Sequence, residues 1–338
     1  MMHKFFLPVK IVFGRKTIFS LIEEVQCFKK ILIVCGTKSL KESGVLDKIL
    51  GQLQHRAIEY LIYDNISQEP DTMVVNEVLK LVAEEECDCV VGIGGGSVID
   101  VAKAVAGLYG EYQQNKNTFS VEDYLEVDGT KSIEVEGIPF VAVPTVAGTG
   151  AEVTMNSVLI NPKTGNKRSI RSPHLFAKLA IIDPQLTLTV PPRQTAISGI
   201  DALCHLVEGY ISKKSNPICD TFAVEGIKYI VEYLPAVIKN PDNILAREKI
   251  SLASLYGGIM IVNSGLTLAH GIGSVIGPRF NLPHGLACAL FLPEVLEINL
   301  SFVALEKRET LKRLFNNNIA LFLKNFYIAI GLNLQLDI

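Results

Sequence analysis

The chain has 338 residues, 49% hydrophobic and 20% charged, which is enough for two domains with separate cores. A formal net charge of −3 gives no electrostatic footing for nucleic acid or an anionic membrane, and no apolar run approaches the ~18 residues expected of a bilayer-spanning helix. Seven scattered cysteines (Cys27, Cys35, Cys87, Cys89, Cys204, Cys219 and Cys288) are odd in number and suit reduced thiols in a cytoplasm better than a disulfide framework.

In chain order, the N-terminal stretch MMHKFFLPVKIVFG has a short apolar run broken by Pro8 and Lys10, so it reads as a first strand rather than a signal peptide. Strands are expected at Lys10–Phe13, Lys30–Cys35, Glu59–Tyr63, Cys89–Ile93 and Pro139–Val143. Helical patterns lie between them: one runs through Leu53, a second from Thr72 to Glu86, and a third from the glycines at 94–96 to about Leu108. This alternation predicts βαβ units and a mainly parallel sheet. Residues 110–135 are polar and look like an excursion from the sheet. Cys87-Asp88-Cys89 lacks the spacing of a structural zinc knuckle and is assigned to the core.

The stretch Val90-Val91-Gly92-Ile93-Gly94-Gly95-Gly96-Ser97-Val98-Ile99-Asp100 organises this half. A buried strand enters a turn without side chains, and a helix leaves it with Ser97 as its expected cap. Backbone can approach a ligand closely at such a turn, and the free N–H groups and dipole of the helix start favour an anion, typically a phosphate.

The pattern changes near Asp183-Pro184. From Pro192 onward it is helical: Thr195–Tyr210, Asp220–Leu234, Ile244–Ile261, Thr267–Ile276 and Leu286–Leu296. The expected division is 1–187, α/β, and 188–338, all-α. Asp201 and His205, spaced i, i+4, lie on one helix face, where a carboxylate and an imidazole can chelate one divalent cation. His270 and His284 follow in apolar, glycine-containing settings. A lone histidine there is ordinarily a satisfied core imidazole, but one Asp and three His together are read as a metal site, of a type that suits Fe(II) or Zn(II).

These motifs, in this order, resemble those of the iron-containing (group III) alcohol dehydrogenases, which share a fold with glycerol dehydrogenases and dehydroquinate synthases. The resemblance rests on Gly94-Gly95-Gly96-Ser97-Val98-Ile99-Asp100, on Pro144-Thr145-Val146-Ala147-Gly148-Thr149-Gly150-Ala151-Glu152-Val153-Thr154, on Gly199-Ile200-Asp201-Ala202-Leu203-Cys204-His205 and on the His270 and His284 pair. It covers nearly the whole chain, from Leu7 to at least Pro293. It implies an N-terminal dinucleotide-binding domain, a helical catalytic domain and a cofactor in the cleft between them. It also implies a homodimer acting on a small-molecule alcohol or aldehyde, with metal ligands at Asp201, His205, His270 and His284. The cofactor residues it implies are Gly94, Gly95, Gly96, Ser97 and Asp100, then Thr145 and Thr149, and Lys167 near the ribose.

After the KILIVC strand, NAD-preferring relatives often carry an Asp that would repel a 2′-phosphate. Here Gly36, Thr37, Lys38 and Ser39 occupy that stretch, which favours NADP over NAD. Two departures from the family stand out. Ser274 replaces a histidine that many relatives place four residues after the third ligand, so the proton donor is not assigned. The chain also ends some tens of residues before its relatives do, as though the last helices of the family were absent. The expected reaction is reversible hydride transfer between NAD(P)(H) and a primary alcohol/aldehyde pair. The rivals are a glycerol-type polyol dehydrogenase and a truncated nucleotide-binding member without turnover. A dehydroquinate synthase-like cyclase is disfavoured, because the metal residues have apolar sequence neighbours where a phosphorylated polyhydroxy acid needs several cations.

Overall fold

The computed structural model describes residues 2–36, 39–67 and 69–334. The chain forms two compact units, one of Pro8–Val146 with Ala151–Thr189, the other of Met1–Leu7, Ala147–Gly150 and Val190–Ile338.

The α/β unit runs β1 (Lys10–Phe13), α1 (Leu21–Val25), β2 (Lys30–Cys35), α2 (Ser39–Glu42), α3 (Val45–His55), β3 (Glu59–Tyr63), α4 (Thr72–Glu84), β4 (Cys89–Gly94), α5 (Gly96–Asn115), β5 (Phe140–Pro144), β6 (Asn156–Ile160), β7 (Lys167–Arg171) and β8 (Leu179–Ile182). Six strands make one all-parallel sheet, ordered β1-β8-β5-β4-β2-β3. The sheet agrees with the mainly parallel architecture expected. β2 and β4 read as continuous apolar runs because Ile31–Cys35 and Cys89–Gly94 are buried on both faces. The predicted helix through Leu53 is instead two helices, α2 and α3. The third helix continues past Leu108 to Asn115, into part of the expected polar excursion.

The sequence reading missed the β6–β7 hairpin, an antiparallel pair with Ile160 facing Lys167. In β7, Lys-Arg-Ser-Ile-Arg buries only Ile170, so its apolar signal is one residue long. β8 was missed for a related reason. Its buried Leu-Ala-Ile-Ile is four residues, too short to separate from the turn after it.

The strand order places the glycine turn at 94–96. From β2 the chain moves out to the edge strand β3, then crosses back to β4 on the other side of β2. The sheet therefore reverses its winding between β2 and β4, and in doubly wound sheets ligands lie at the carboxyl ends of strands at such a reversal. Cys35 pairs with Ile93, so Gly36 and Gly94 leave neighbouring strand ends.

The helical unit comprises α6 (Pro192–Ile211), α7 (Pro217–Lys239), α8 (Ile244–Asn263), α9 (Leu268–Arg279), α10 (His284–Asn299), α11 (Leu305–Leu314) and α12 (Ile319–Ala329). α6 packs on α7, α8 and α10, and α9 packs on α10. α7 begins at Pro217 behind Asn216, whose side chain accepts from the Ile218 and Cys219 N–H groups. α6 is buried on every side from Thr195 to Ile211, which holds its polar residues rigidly inside the unit. Contrary to the expectation of no such segment, His284–Phe302 is long and apolar enough to cross a membrane by length and composition; here Leu292, Val295 and Leu296 bury it in the helical core.

Candidate metal centre and nucleotide turn

α6 carries Asp201 and His205 one turn apart, both buried, with Asp201 Oδ1 4.0 Å from His205 Nε2. His270, in the first turn of α9, brings its Nε2 to 3.7 Å from the same Oδ1, and its ring stacks on that of His205 with centroids 4.6 Å apart. His284 opens α10, its ring 5.5 Å from that of His270. Gly285 permits this approach. A Cβ there would stand 2.5 Å from the Ile197 carbonyl and 2.9 Å from Asp201 Cβ, so any larger residue would push the start of α10 off α6.

The four predicted metal residues thus meet inside the helical unit. Among the described residues, Asp201 Oδ1 and His270 Nε2 are buried with no hydrogen-bond partner, as is His205 Nδ1, while the His205 atom nearer Asp201 is Nε2. Buried polar atoms are normally paired, and a cluster of orphaned oxygen and nitrogen donors is what a divalent cation satisfies.

Two neighbours were not picked out from sequence. Glu208, fully buried, bonds His270 Nδ1 with one carboxylate oxygen; the other accepts from the Thr267 hydroxyl at 2.5 Å and from the Thr267 and Ala269 N–H groups at 3.0 Å each. It fixes the ring so that Nε2 points inward, the role a carboxylate plays behind a metal-bound histidine. Its spacing puts it on the helix face of Asp201 and His205, but nothing in the spacing alone separates it from a solvated glutamate. Cys288 lies one turn after His284, its Sγ 3.7 Å from His284 Nε2.

The charges respond to one another. Burial works to raise the Asp201 carboxyl, but the imidazoles of His205, His270 and His284 outweigh it and hold the carboxyl well below its usual range. Burial pushes the His205 imidazole down to about 4, against the pull of Asp201. Glu208 is held low by His270 and Thr267 despite its burial. Two buried carboxylates beside three imidazoles bring oxygen and nitrogen ligand atoms of the kind a divalent cation takes to one place.

The predicted nucleotide residues are in the α/β unit, except Thr149, which is exposed on the Ala147–Gly150 segment of the other. Gly95 caps α5 in an extended conformation, and Gly96 is its first residue, so Ser97 lies inside the helix rather than capping it. The helix starts two residues early because glycine enters the turn without a side chain to bond the next N–H groups. The Thr145 N–H donates to the Gly94 carbonyl at 2.9 Å, joining the two loops predicted to hold cofactor. Asp100 faces inward, its carboxylate 3.2 Å from the Val158 N–H and 3.9 Å from Lys103 Nζ. Lys167 pairs with Glu69 at 2.9 Å. Gly36 follows β2, and among the described residues a Cβ there would meet nothing within 4 Å. Thr37 and Lys38 lie outside the described residues, and Ser39 begins α2. Ser274 is exposed on α9.

Residues 8–184 match the family model "Iron-containing alcohol dehydrogenase", and residues 195–325 match that of the C-terminal domain of the Fe-containing alcohol dehydrogenase family. The chain is 34% identical to long-chain-alcohol dehydrogenase 1 of Geobacillus thermodenitrificans over 79% of its own length and 66% of that protein's. It is 33% identical to the NAD-dependent methanol dehydrogenase of Bacillus methanolicus over 88% of its length and 76% of that protein's. Among solved structures, the sulfoacetaldehyde reductase of Bifidobacterium kashiwanohense in complex with NAD+ superposes with a TM-score of 0.89 at 30% identity, covering 99% of this chain and 88% of that one.

Proposed function

The chain belongs to the iron-containing alcohol dehydrogenase family, and from that premise we propose that it is a metal-dependent oxidoreductase moving a hydride between a nicotinamide dinucleotide and a primary alcohol/aldehyde pair. The observation that carries the reading is the convergence of the Asp201 Oδ1 and His270 Nε2 atoms, unpartnered among the described residues, beside the rings of His205 and His284. These four residues would hold the ion. What a divalent ion supplies there is a Lewis acid, polarising a substrate carbonyl in reduction and favouring an alkoxide in oxidation. The protein's own contribution is position and charge. Glu208 fixes the His270 ring, α6 holds Asp201 and His205 in one register, and buried surroundings keep water from competing for the donors.

The division of labour follows 1–187 for the dinucleotide and 188–338 for the metal. The turn Gly94–Gly96 and the start of α5 suit the pyrophosphate, since a helix start offers N–H groups and a positive dipole end. The hydride chemistry belongs to the nicotinamide. The stretch Gly36-Thr37-Lys38-Ser39 supports NADP, because its sequence carries no acidic side chain to repel a 2′-phosphate. The methanol dehydrogenase relative is named NAD-dependent and the reductase structure holds NAD+, so both cofactors belong in the test.

The test is oxidation of NADPH and NADH with short aldehydes, on protein stripped of metal and reloaded without oxygen with Fe(II) or Zn(II). Turnover restored by an ion, and faster with NADPH, is the expected result. Glycerol oxidation outrunning primary alcohols would assign the polyol reaction instead. Tight nucleotide binding without turnover under either ion would overturn the enzymatic reading.

Glu208→Gln gives a second expected outcome. Metal affinity, read by chelator competition, falls by about 10–100-fold, as loss of an outer carboxylate usually brings. Activity returns at saturating metal. Unchanged affinity would remove Glu208 from the site.

A further inference from the structure

Asp201 and His205 are not the only donors one helical turn apart. His284 and Cys288 repeat the spacing on α10, and both side chains turn to the same place. One ligand atom each from Asp201, His270, His284 and Cys288 lie within 4.8 Å of one another. Donors bound to one ion at the usual ~2.0–2.3 Å stand no more than about 4–4.6 Å apart, so this group is close to a coordination shell as it stands. His205 is not in that group.

Cys288 itself is fully buried. Asp201 Oδ1 and His270 Nε2, each on a residue more than nine-tenths buried, point at the same space without a partner. The packing keeps room for the sulfur. A Cβ on Gly273 would stand 2.7 Å from Cys288 Sγ, so glycine at that point of α9 leaves the thiol its place.

We propose that Cys288 is a ligand of the ion in this site, as a thiolate beside Asp201, His270 and His284, and that the site therefore prefers thiophilic divalent ions of the zinc and cobalt class. The inference rests on the metal-site reading above and adds a sulfur donor to it. Thiolate selects softer ions, whereas a set of one carboxylate and imidazoles leaves hard and borderline ions closer in affinity. On binding, the thiol proton leaves to solvent and the sulfur lone pair forms the bond to the ion, with no change of oxidation state.

The experiment loads the full-length, metal-stripped chain with Co(II) in the absence of oxygen and records its absorption. Expected are the visible bands of a protein-bound cobalt ion together with an intense near-ultraviolet thiolate-to-cobalt charge-transfer band. In Cys288→Ser the charge-transfer band is lost while the visible bands persist, and the ratio of zinc to iron affinity falls more than tenfold. Should the serine variant not fold, X-ray absorption of the zinc-loaded wild type decides: one sulfur scatterer at about 2.3 Å supports the ligand. Visible cobalt bands without charge transfer, or a zinc shell of nitrogen and oxygen alone, overturn the role of Cys288 and leave the metal site standing. Absence of any bound cobalt or zinc overturns both.

Discussion

Replacing His270 by alanine is expected to abolish metal-dependent turnover and to lower ion affinity by more than the about 100-fold that marks the upper range for an outer partner. His270 is the point where the site is most connected. Its Nε2 is buried, unpartnered and 3.7 Å from Asp201 Oδ1, and its Nδ1 is held by Glu208. Removing the ring takes a donor out of the cluster and leaves the buried Glu208 carboxylate without its strongest counterpart. Glu208 keeps the Thr267 hydroxyl and three backbone N–H groups, so α9 retains its anchor and the helical unit is expected to stay folded. Elemental analysis after dialysis, far-ultraviolet circular dichroism and the aldehyde assay check this together. A folded variant that keeps one ion per chain and wild-type rates would show that the ion is held elsewhere. Chelation of the wild type should reproduce the loss, and addition of the ion should reverse it for the wild type only.

Much of this site was legible because its chemistry sits in regular structure. The i, i+4 spacing of Asp201 and His205 puts them on one face wherever a helix forms, and the apolar run around them predicts the helix. The meeting with His270 and His284 could not be read from spacing, since it depends on how α9 and α10 pack on α6, which the resemblance supplied and Gly285 makes possible. Glu208 and Cys288 were hidden for different reasons. A glutamate inside a helix ordinarily marks a solvated face, and its burial becomes visible only when Thr267, Ala269 and His270 turn their donors to it. A cysteine in an apolar helix is ordinarily core, and Cys204 and Cys219 offered the same appearance. In the sheet, the strong signals were the strands buried on both faces, while the β6–β7 hairpin was lost because β7 has one buried residue among charges. The cap of α5 was misplaced by two residues, from Gly95 to Ser97, because serine is the commoner cap and three glycines give no side-chain cue to the first helical turn.

Lys103→Met is expected to destabilise the α/β unit by about 3–5 kcal/mol at pH 8, the usual loss when one partner of a buried charged group is removed. Lys103 on α5 is fully buried, and its three N–H bonds are all placed: to the Ala151 carbonyl at 2.8 Å, to Thr154 Oγ1 at 3.0 Å and to the Asn156 carbonyl at 2.8 Å. Methionine matches its shape and offers no donor, so the Ala151 and Asn156 carbonyls and Thr154 Oγ1 each lose one hydrogen bond, while the Ala151 carbonyl keeps those from the Thr154 N–H and hydroxyl. Asp100 and Glu152 also lose their nearest cation. Burial already pushes Asp100 up to about 6 and Glu152 up to about 7, although Lys103 pulls both down. A carboxyl whose folded pKa is raised destabilises the fold above that pKa and is relieved as the pH falls through it. Without Lys103 both should rise further, so the deficit of the variant should shrink between pH 8 and about pH 5.5, as the carboxyls take up protons and stop being buried charges. Urea unfolding of both proteins at several pH values measures this, following the transition of the α/β unit. A deficit below 1 kcal/mol at pH 8, or one that grows as the pH falls, would mean that Lys103 fills space without carrying charge. The consequence reaches the nucleotide loop, because Ala151 and Thr154 close the segment that begins at Thr145. Loosening that anchor should raise the KM for the dinucleotide more than it lowers kcat, whereas a general loss of stability would reduce the active fraction and leave KM unchanged.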